Sequence, residues 1–415
     1  MYVWLYNLVT RSYFWGIHIA ANFGNRKAEL WKKGRKNIWR ALQENISKHK
    51  ERVWFHCASL GEFEQARPVL EKFREKYPDF QIVLTFYSPS GYEVRKNYDK
   101  ADLITYLPTD TPDNALKFLN IVQPKLIFWT KYEFWYHFLT TAKEKNIPVV
   151  LFSAIFRKEQ LFFKPYGTLH RKMLACFAHI FVQNELSLQL LDTLKIPFVS
   201  LAGDTRFDRV AQILQERQEA DFAKIIQFKN NMPLLIVGSA WQEDLAVLEK
   251  FLQKFPKPLK VIIAPHEIHE NEIRQLRQKY NALLYLDLPQ ENFPEKHKVL
   301  IINTIGVLSA LYRYADFAFV GGAYKQGLHN ILEPATFGLP IFFGDRAFQK
   351  FQEAQDLLAL QSAWKVADEN ELLAIFEHLY QDETFYRQCQ ERTRSYVQKN
   401  IGATDKIMQV IEKWL

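Results

Sequence analysis

From residue 53 onward, short apolar runs alternate with longer stretches whose apolar positions recur at helical spacing. The short runs predict strands at 53–57 (VWFHC), 81–86 (QIVLTF), 102–108 (DLITYLP), 125–129 (KLIFW), 148–154 (PVVLFSA), 179–184 (HIFVQN) and 198–203 (FVSLAG). A polar helical stretch over 211–231 follows GDTRFDRV. A second series then predicts strands at 233–240, 259–265, 282–287, 298–304, 317–323 and 340–345. Strands alternating with helices imply parallel sheets with crossover helices. The expected class is therefore α/β, with two Rossmann-like domains in tandem, a hinge near residues 204–232, and a cleft between the carboxyl ends of the two sheets. Three helical stretches follow residue 369. The last, TDKIMQVIEKWL, is expected to fold back over the first domain.

The first 25 residues break this pattern. MYVWLYNLVTRSYFWGIHIAANFGN is apolar and rich in Tyr, Trp and Phe, with one charge, Arg11, near its middle. A cleaved signal peptide has its basic residues before the apolar stretch, and a spanning helix wants about 20 apolar residues without a central charge. A helix lying in a membrane interface fits better. Charge sharpens this reading. The chain has a net charge of +8, but residues 1–40 hold eight basic side chains against the single Glu29, a net +7, which leaves +1 for the other 375 residues. A basic excess confined to one end, beside an apolar segment, points to anionic lipid heads and away from nucleic acid. Basic residues following the apolar stretch place the body of the protein on the cytoplasmic side.

A chain of 415 residues exceeds one ordinary core, and 48% hydrophobic residues suffice for two. Cys57, Cys176 and Cys389 are far apart and form no C-x-x-C pair, so neither a disulfide framework nor a zinc cage is expected.

Candidate chemistry gathers where strands run into helices. HCASLGEFEQA places Glu62 at such a turn, as either a helix-terminal charge or a general base, with Gly61 read as the residue that lets the backbone turn. VGGAYKQGLHNILEPATFGLP carries Gly321, Gly322, Lys325 and Gly327 before a helix predicted to begin near His329 and Asn330, with Glu333 in its first turns. A glycine loop feeding a helix N-terminus suits a phosphate, and Glu333 suits sugar hydroxyls. Neither G-x-G-x-x-G nor G-K-[ST] is present. VGSAWQEDL puts Ser239 and Glu243 at another turn, where Ser before Glu also reads as ordinary capping. IAPHEIHENEI puts Pro265, His266 and Glu267 at a strand end; it lacks H-E-x-x-H and an evident third ligand, so no metal site is expected. No D-x-D pair occurs. In the first domain Ser88, Ser90, Lys131, Glu133, Arg157 and Lys164 stand at strand ends among aromatics, a mixture that suits an acceptor with phosphate and acyl parts or simply a core.

Together these stretches resemble the 3-deoxy-D-manno-octulosonic acid (Kdo) transferase family. HCASLGEFEQA looks like its S-x-G-E segment, YEFWY its E-x-E-x-W-P segment, GDTRFD its G-x-x-K-F-D segment, and VGGAYKQGLHNILEPA its V-G-G-S…G-G-H-N-x-L-E-x-A segment. The resemblance implies a GT-B fold: residues 1–40 a membrane-associating segment, 41–208 an acceptor-binding domain, 209–395 a CMP-Kdo-binding domain, and 396–415 a closing helix. It implies inverting transfer of Kdo from CMP-Kdo to a lipid A precursor, without cofactor or metal, at the cytoplasmic face of the inner membrane. Glu62 would be the general base. Ser239, Glu243, Pro265, His266, Gly322, Lys325, His329, Asn330 and Glu333 would line the donor site, and Ser59, Gly61, Ser90, Glu133 and Arg157 the acceptor site. The chain departs from the family in three places. Pro265-His266-Glu267 stands where many members have Pro-Arg-His, leaving Lys325 or Arg206 to replace a phosphate-binding arginine. Lys131 and Tyr136 replace the first Glu and the Pro of the second segment, and the loop before His329 is one residue short. The rival readings are a GT-B transferase using a UDP-sugar and a catalytically silent, membrane-docked binding protein.

Overall fold

A computed structural model of the chain describes residues 2–131, 133–215, 223–288 and 297–415. The chain divides into two compact units, Met1–Arg209 with Ile401–Leu415, and Val210–Asn400.

The first unit is built on β1 (Arg52–Cys57), β2 (Gln81–Phe86), β3 (Leu103–Tyr106), β4 (Leu126–Thr130), β5 (Val149–Ala154), β6 (His179–Val182) and β7 (Val199–Leu201), in spatial order β3-β2-β1-β4-β5-β6-β7. All pairs are parallel. Alternate residues feed opposite cores: Trp54 packs in one cluster, Val53 and Phe55 in the other. Burial on both faces explains why these strands read as unbroken apolar runs.

The second unit repeats the plan with β8 (Leu234–Ala240), β9 (Lys260–Pro265), β10 (Leu283–Leu284), β11 (Val299–Ile301), β12 (Phe317–Val320), β13 (Ile341–Gly344) and β14 (Ala363–Val366), in order β10-β11-β9-β8-β12-β13-β14. In both sheets the strand order reverses beside the unit's first strand, between β1 and β4 and between β8 and β12. Ligands of doubly wound sheets bind outside the carboxyl ends of strands at such a reversal.

Five helices open the chain or flank the first site: α1 (Tyr2–Asn22), α2 (Arg26–Gly34), α3 (Ile38–Asn45), α4 (Leu60–Lys76) and α5 (Pro89–Arg95). α1 is two-faced. Thr10, Phe14 and Ala21 are buried, and Val3 and Tyr6 pack on the core of the first unit. Its inward polar groups are held: the Tyr6 hydroxyl donates to Asp110 Oδ2 at 2.5 Å, and Asn7 Oδ1 lies 2.6 Å from His137 Nε2. Tyr2, Trp4, Leu5, Leu8, Val9, Tyr13, Trp15 and Ile19 are exposed. Among the described residues no helix is long and apolar enough to cross a membrane.

The closing helix, Ala403–Ile411, buries Ala403, Ile407, Met408 and Ile411 against Phe63, Leu70 and Phe73 of α4. Asp208 fixes its start, accepting the N–H groups of Gly402 at 2.6 Å and Thr404 at 2.7 Å.

The structure differs from the sequence pattern at several strands. β14 was not predicted; it is short, contains Lys365 and pairs only with β13. The strand expected over 282–287 shrinks to Leu283–Leu284 and turns into a 3₁₀ segment, Tyr285–Asp287. That expected over 298–304 spans only Val299–Ile301. The strand expected to reach residue 323 ends at Val320, because Gly321 and Gly322 begin a turn. Of the polar helix expected over 211–231, residues 216–222 lie outside the described residues; helices Thr205–Gln215 and Ala223–Lys229 flank them.

Candidate active site

In the first unit the chain leaves β1 at Cys57 and enters α4 with Ser59 as its N-cap. Glu62 therefore falls in the first helical turn. It is only 9% exposed, and its Oε2 accepts the Ala58 N–H at 2.6 Å. A carboxylate here complements the unsatisfied N–H groups of the helix start. The Ser59 side chain makes no capping bond.

Gly61 needs a corrected explanation. It lies inside α4, without a positive φ, and a Cβ added to it would meet nothing within 4 Å. The turn does not require glycine; Gly61 instead leaves the first turn of α4 open to approach.

Across the reversal, β4 ends at Thr130 and turns through Lys131, which has φ +65°. Non-glycine residues at positive φ are held by their surroundings and cluster at functional sites. Glu133 follows. Its backbone oxygen accepts from Trp129 Nε1, and its Oε2 accepts from Trp135 Nε1 at 3.0 Å and lies 3.5 Å from the Nε2 of buried His56. Ala58 sits in an apolar cluster with Phe14 of α1, Trp31 of α2 and Tyr87, against which Trp135 packs. Arg35 closes this wall: its guanidinium lies 3.8 Å over the Trp31 ring and donates to Tyr87 O at 2.8 Å and Leu107 O at 3.0 Å. Burial pushes its pKa down to about 10, so it stays cationic at neutral pH. One of the eight N-terminal basic residues is thus internal. Ser90 is exposed and shares a 3.0 Å contact with Ser88 Oγ. Arg157 is exposed on the loop after β5, its N–H on Gln160 Oε1, outside the bonds that join Glu133 to His56 and Trp135. Arg206, also of the first unit, is paired with Asp204 at 2.6 Å.

In the second unit β8 ends in a bulge between Gly238 and Ala240, with Ser239 at φ +52°. Helix Gln242–Lys254 follows, with Trp241 as N-cap. The predicted Ser-before-Glu capping is not what forms. Asp244 caps instead, its Oδ2 accepting Trp241 N–H at 2.8 Å and also Gly322 N–H at 2.9 Å from the end of β12. Burial raises Asp244 to about 6, against the lowering effect of both hydrogen bonds. Neighbouring Glu243 is held below its ordinary range, first by a backbone hydrogen bond at the helix start and further by Lys325, whose Nζ lies 3.5 Å away.

Gly322 is a glycine by necessity: φ is +92°, and a Cβ would fall 2.4 Å from Gly327 O and 2.9 Å from His329 Cδ2. The helix expected at His329 and Asn330 begins later and is short, Leu332–Thr336. The intervening loop is folded on itself by Lys325 N–H and Gly327 N–H to Gly322 O, and Pro334 brings no N–H to the helix. The phosphate reading based on a helix N-terminus is weakened accordingly. Asn330 is exposed; it donates to Glu333 Oε1 at 3.1 Å and accepts from Leu332 N–H at 3.2 Å. Pro265 ends β9 and leads into exposed His266, whose ring lies 4.4 Å from those of both Trp241 and His329. His269 pairs with Glu267, and among the described residues no group of three His, Cys, Asp or Glu is arranged to hold a metal ion.

The structure thus brings Ser239, Glu243, His266, Gly322, Lys325 and His329 to one end of the second sheet, and Ser59, Gly61, Glu62 and Glu133 to one end of the first. Residues 29–209 match the family described as 3-deoxy-D-manno-octulosonic-acid transferase (kdotransferase). Proteins named 3-deoxy-D-manno-octulosonic acid transferase match along most of the chain. That of Chlamydophila psittaci is 26% identical over 84% of this chain and 80% of its own length. That of Haemophilus influenzae is 25% identical over 88% and 87%. Over residues 29–209, and more weakly along most of its length, this chain is similar to the Kdo transferases. Among solved structures, UDP-GlcNAc 2-epimerase from Neisseria meningitidis aligns with a TM-score of 0.62 over 87% of this chain and 100% of its own, at 15% identity. That likeness speaks to fold alone, and it agrees with the expected GT-B class.

Sequence reasoning missed Asp244, Trp241, His56, Trp135 and Arg35. Asp244 was legible only as one acid beside another. The aromatics and Arg35 carry no motif signal, because their positions come from three separate strand ends and from α2.

Proposed function

We propose that this chain is an inverting Kdo transferase that moves Kdo from CMP-Kdo to a hydroxyl of a lipid A precursor in lipopolysaccharide synthesis. The first unit takes the acceptor, and the second takes the donor. The observation that carries the reading is Glu62, a buried carboxylate fixed in the first turn of α4 beside an aromatic wall to which α1 contributes Phe14. The family match supports the donor and the chemistry.

In the proposed step an acceptor hydroxyl gives its proton to Glu62 as its oxygen bonds to the anomeric carbon of Kdo. The bond from that carbon to the phosphate oxygen breaks, and CMP leaves with the electron pair. General base help of this kind is typically worth roughly 10²–10⁴-fold. One displacement inverts the anomeric configuration. CMP is already a good leaving group, so the proposed step calls for no metal. Lys325, which lies 3.5 Å from Glu243, would turn to its phosphate. Open space over Gly61 admits the acceptor, and Glu133, oriented by Trp135 Nε1, is placed to accept from acceptor hydroxyls.

The outward face of α1 (Trp4, Leu5, Leu8, Trp15), with the basic residues of α2, supports docking on the anionic cytoplasmic face of the inner membrane, where the acceptor lies. The test is incubation with CMP-Kdo made in situ and a tetra-acylated disaccharide bisphosphate, in EDTA, read by mass spectrometry. A gain of one or more Kdo masses is expected, inhibited by CMP and not by UDP. Inhibition by UDP alone would favour a UDP-sugar transferase, and absence of product with every donor would favour a silent binder.

A further inference from the structure

Trp241 and His329 come from different strand ends, after β8 and after β12, yet their rings act as one piece. Trp241 Nε1 lies 3.0 Å from His329 Nε2. Their planes differ by only 11° with centroids 6.4 Å apart, so the rings meet edge to edge. His266, after β9, covers both, with centroids 4.4 Å away and tilts of 22° and 28°. The His329 backbone is fixed too, its N–H bonding to Gly321 O at 3.3 Å.

This geometry decides a protonation state. An indole N–H can only donate, so His329 Nε2 must be the acceptor, and a neutral ring then carries its proton on Nδ1. Protonating Nε2 would break the bond to Trp241 and create a cation against the second imidazole. Burial acts in the same direction and, with His266 adding to it, pushes His329 down to about 4.

We infer that Trp241 is a positioning residue, which locks His329 as a neutral imidazole with its proton on Nδ1 and so gives the site a fixed N–H donor for an anionic oxygen of the bound nucleotide. The identity of that nucleotide rests on the donor-site reading above; the state of the ring does not. A neutral donor whose direction is fixed beforehand loses no orientational freedom on binding, whereas the free tautomer mixture would present a lone pair to the anion for part of the time.

The test has two readouts. With ¹⁵N-labelled histidine, long-range proton–nitrogen spectra of the wild-type protein should show His329 protonated at Nδ1 and bare at Nε2 at neutral pH. Trp241→Phe, which keeps a ring under His266 and removes the N–H, should give a tautomer mixture. In parallel, calorimetry should show CMP binding weakened roughly 3- to 10-fold in Trp241→Phe, with the effect on transfer falling on KM for the donor and not on kcat. A wild-type ring protonated at Nε2 overturns the inference even if the variant fails to fold. Unchanged CMP affinity in a folded Trp241→Phe overturns the positioning role. A wild-type protein with the Nδ1 tautomer that binds no CMP overturns the donor reading and the ligand half of the inference, while upholding the lock itself.

Discussion

Asp244 Oδ2 accepts the Gly322 N–H at 2.9 Å and thereby ties the end of β12 to the helix that follows β8. The same oxygen holds the Trp241 N–H, so one buried carboxyl sets the relative position of the two loops that carry Trp241 and His329.

Folding raises Asp244 from 3.8 to about 6. Between those values the folded chain keeps a proton that the unfolded chain has released. The contribution is complete below the unfolded value and is lost as pH rises through the folded one. Denaturant titrations across this window should show a component of stability that falls with rising pH in wild type and is absent in Asp244→Asn, which retains an acceptor oxygen. An unchanged slope in the variant would show that another group titrates.

Tyr6 and Asp110 bear on how α1 should be probed. Asp110 is buried and accepts from the Tyr6 hydroxyl and from the N–H groups of His137 and Phe138. Removing residues 1–25 would strip this carboxylate of a partner and uncover the cluster around Phe14, so truncation tests stability together with docking. Tyr6→Phe alone should cost about 1.5–3 kcal/mol in chemical denaturation, as expected for a hydrogen bond to a charged group. Trp4→Ser with Leu8→Ser and Trp15→Ser should leave the denaturation midpoint in place and abolish sedimentation with anionic vesicles. Vesicle binding that survives in the triple variant would refute docking through the outward face.

Two glycines, Gly61 in the first turn of α4 and Gly322 in the turn after β12, should respond oppositely. Gly61 is helical with open space around it, so Gly61→Ala should stabilise the fold by about 0.5–1 kcal/mol through helix propensity. Gly322→Ala places a Cβ 2.4 Å from a backbone oxygen at φ +92°, and should destabilise by at least about 1–3 kcal/mol. Equal midpoints for the two variants in thermal unfolding would contradict both assignments.

The doubly wound layout was legible because parallel strands buried on both faces leave long apolar runs, and β1, β2 and β8 were located to within a residue. What was not legible depended on tertiary context. Lys365 hid β14, whose edge position tolerates a charge. Pro334 and the folded loop after Gly322 delayed a helix that its motif placed at His329. Glu62 stood out because a strand, a turn and a helix surround it in sequence. Asp244 did not, because which of two adjacent acids turns inward is set by the helix start at Trp241. The His56–Glu133–Trp135 group and the Trp241–His329 pair join residues from different strand ends, a proximity that only the sheet order creates.

The central claim is that Glu62 takes the acceptor proton. Its most direct test is the single-turnover rate of Kdo transfer to the tetra-acylated acceptor by wild type and Glu62→Gln, with folding of the variant checked by its denaturation midpoint and donor binding by CMP calorimetry. The account predicts a roughly 10²–10⁴-fold slower transfer step in Glu62→Gln with CMP affinity unchanged. Near-wild-type transfer by a folded Glu62→Gln protein would contradict it, leaving Glu62 a structural role that includes its bond to the Ala58 N–H at the start of α4.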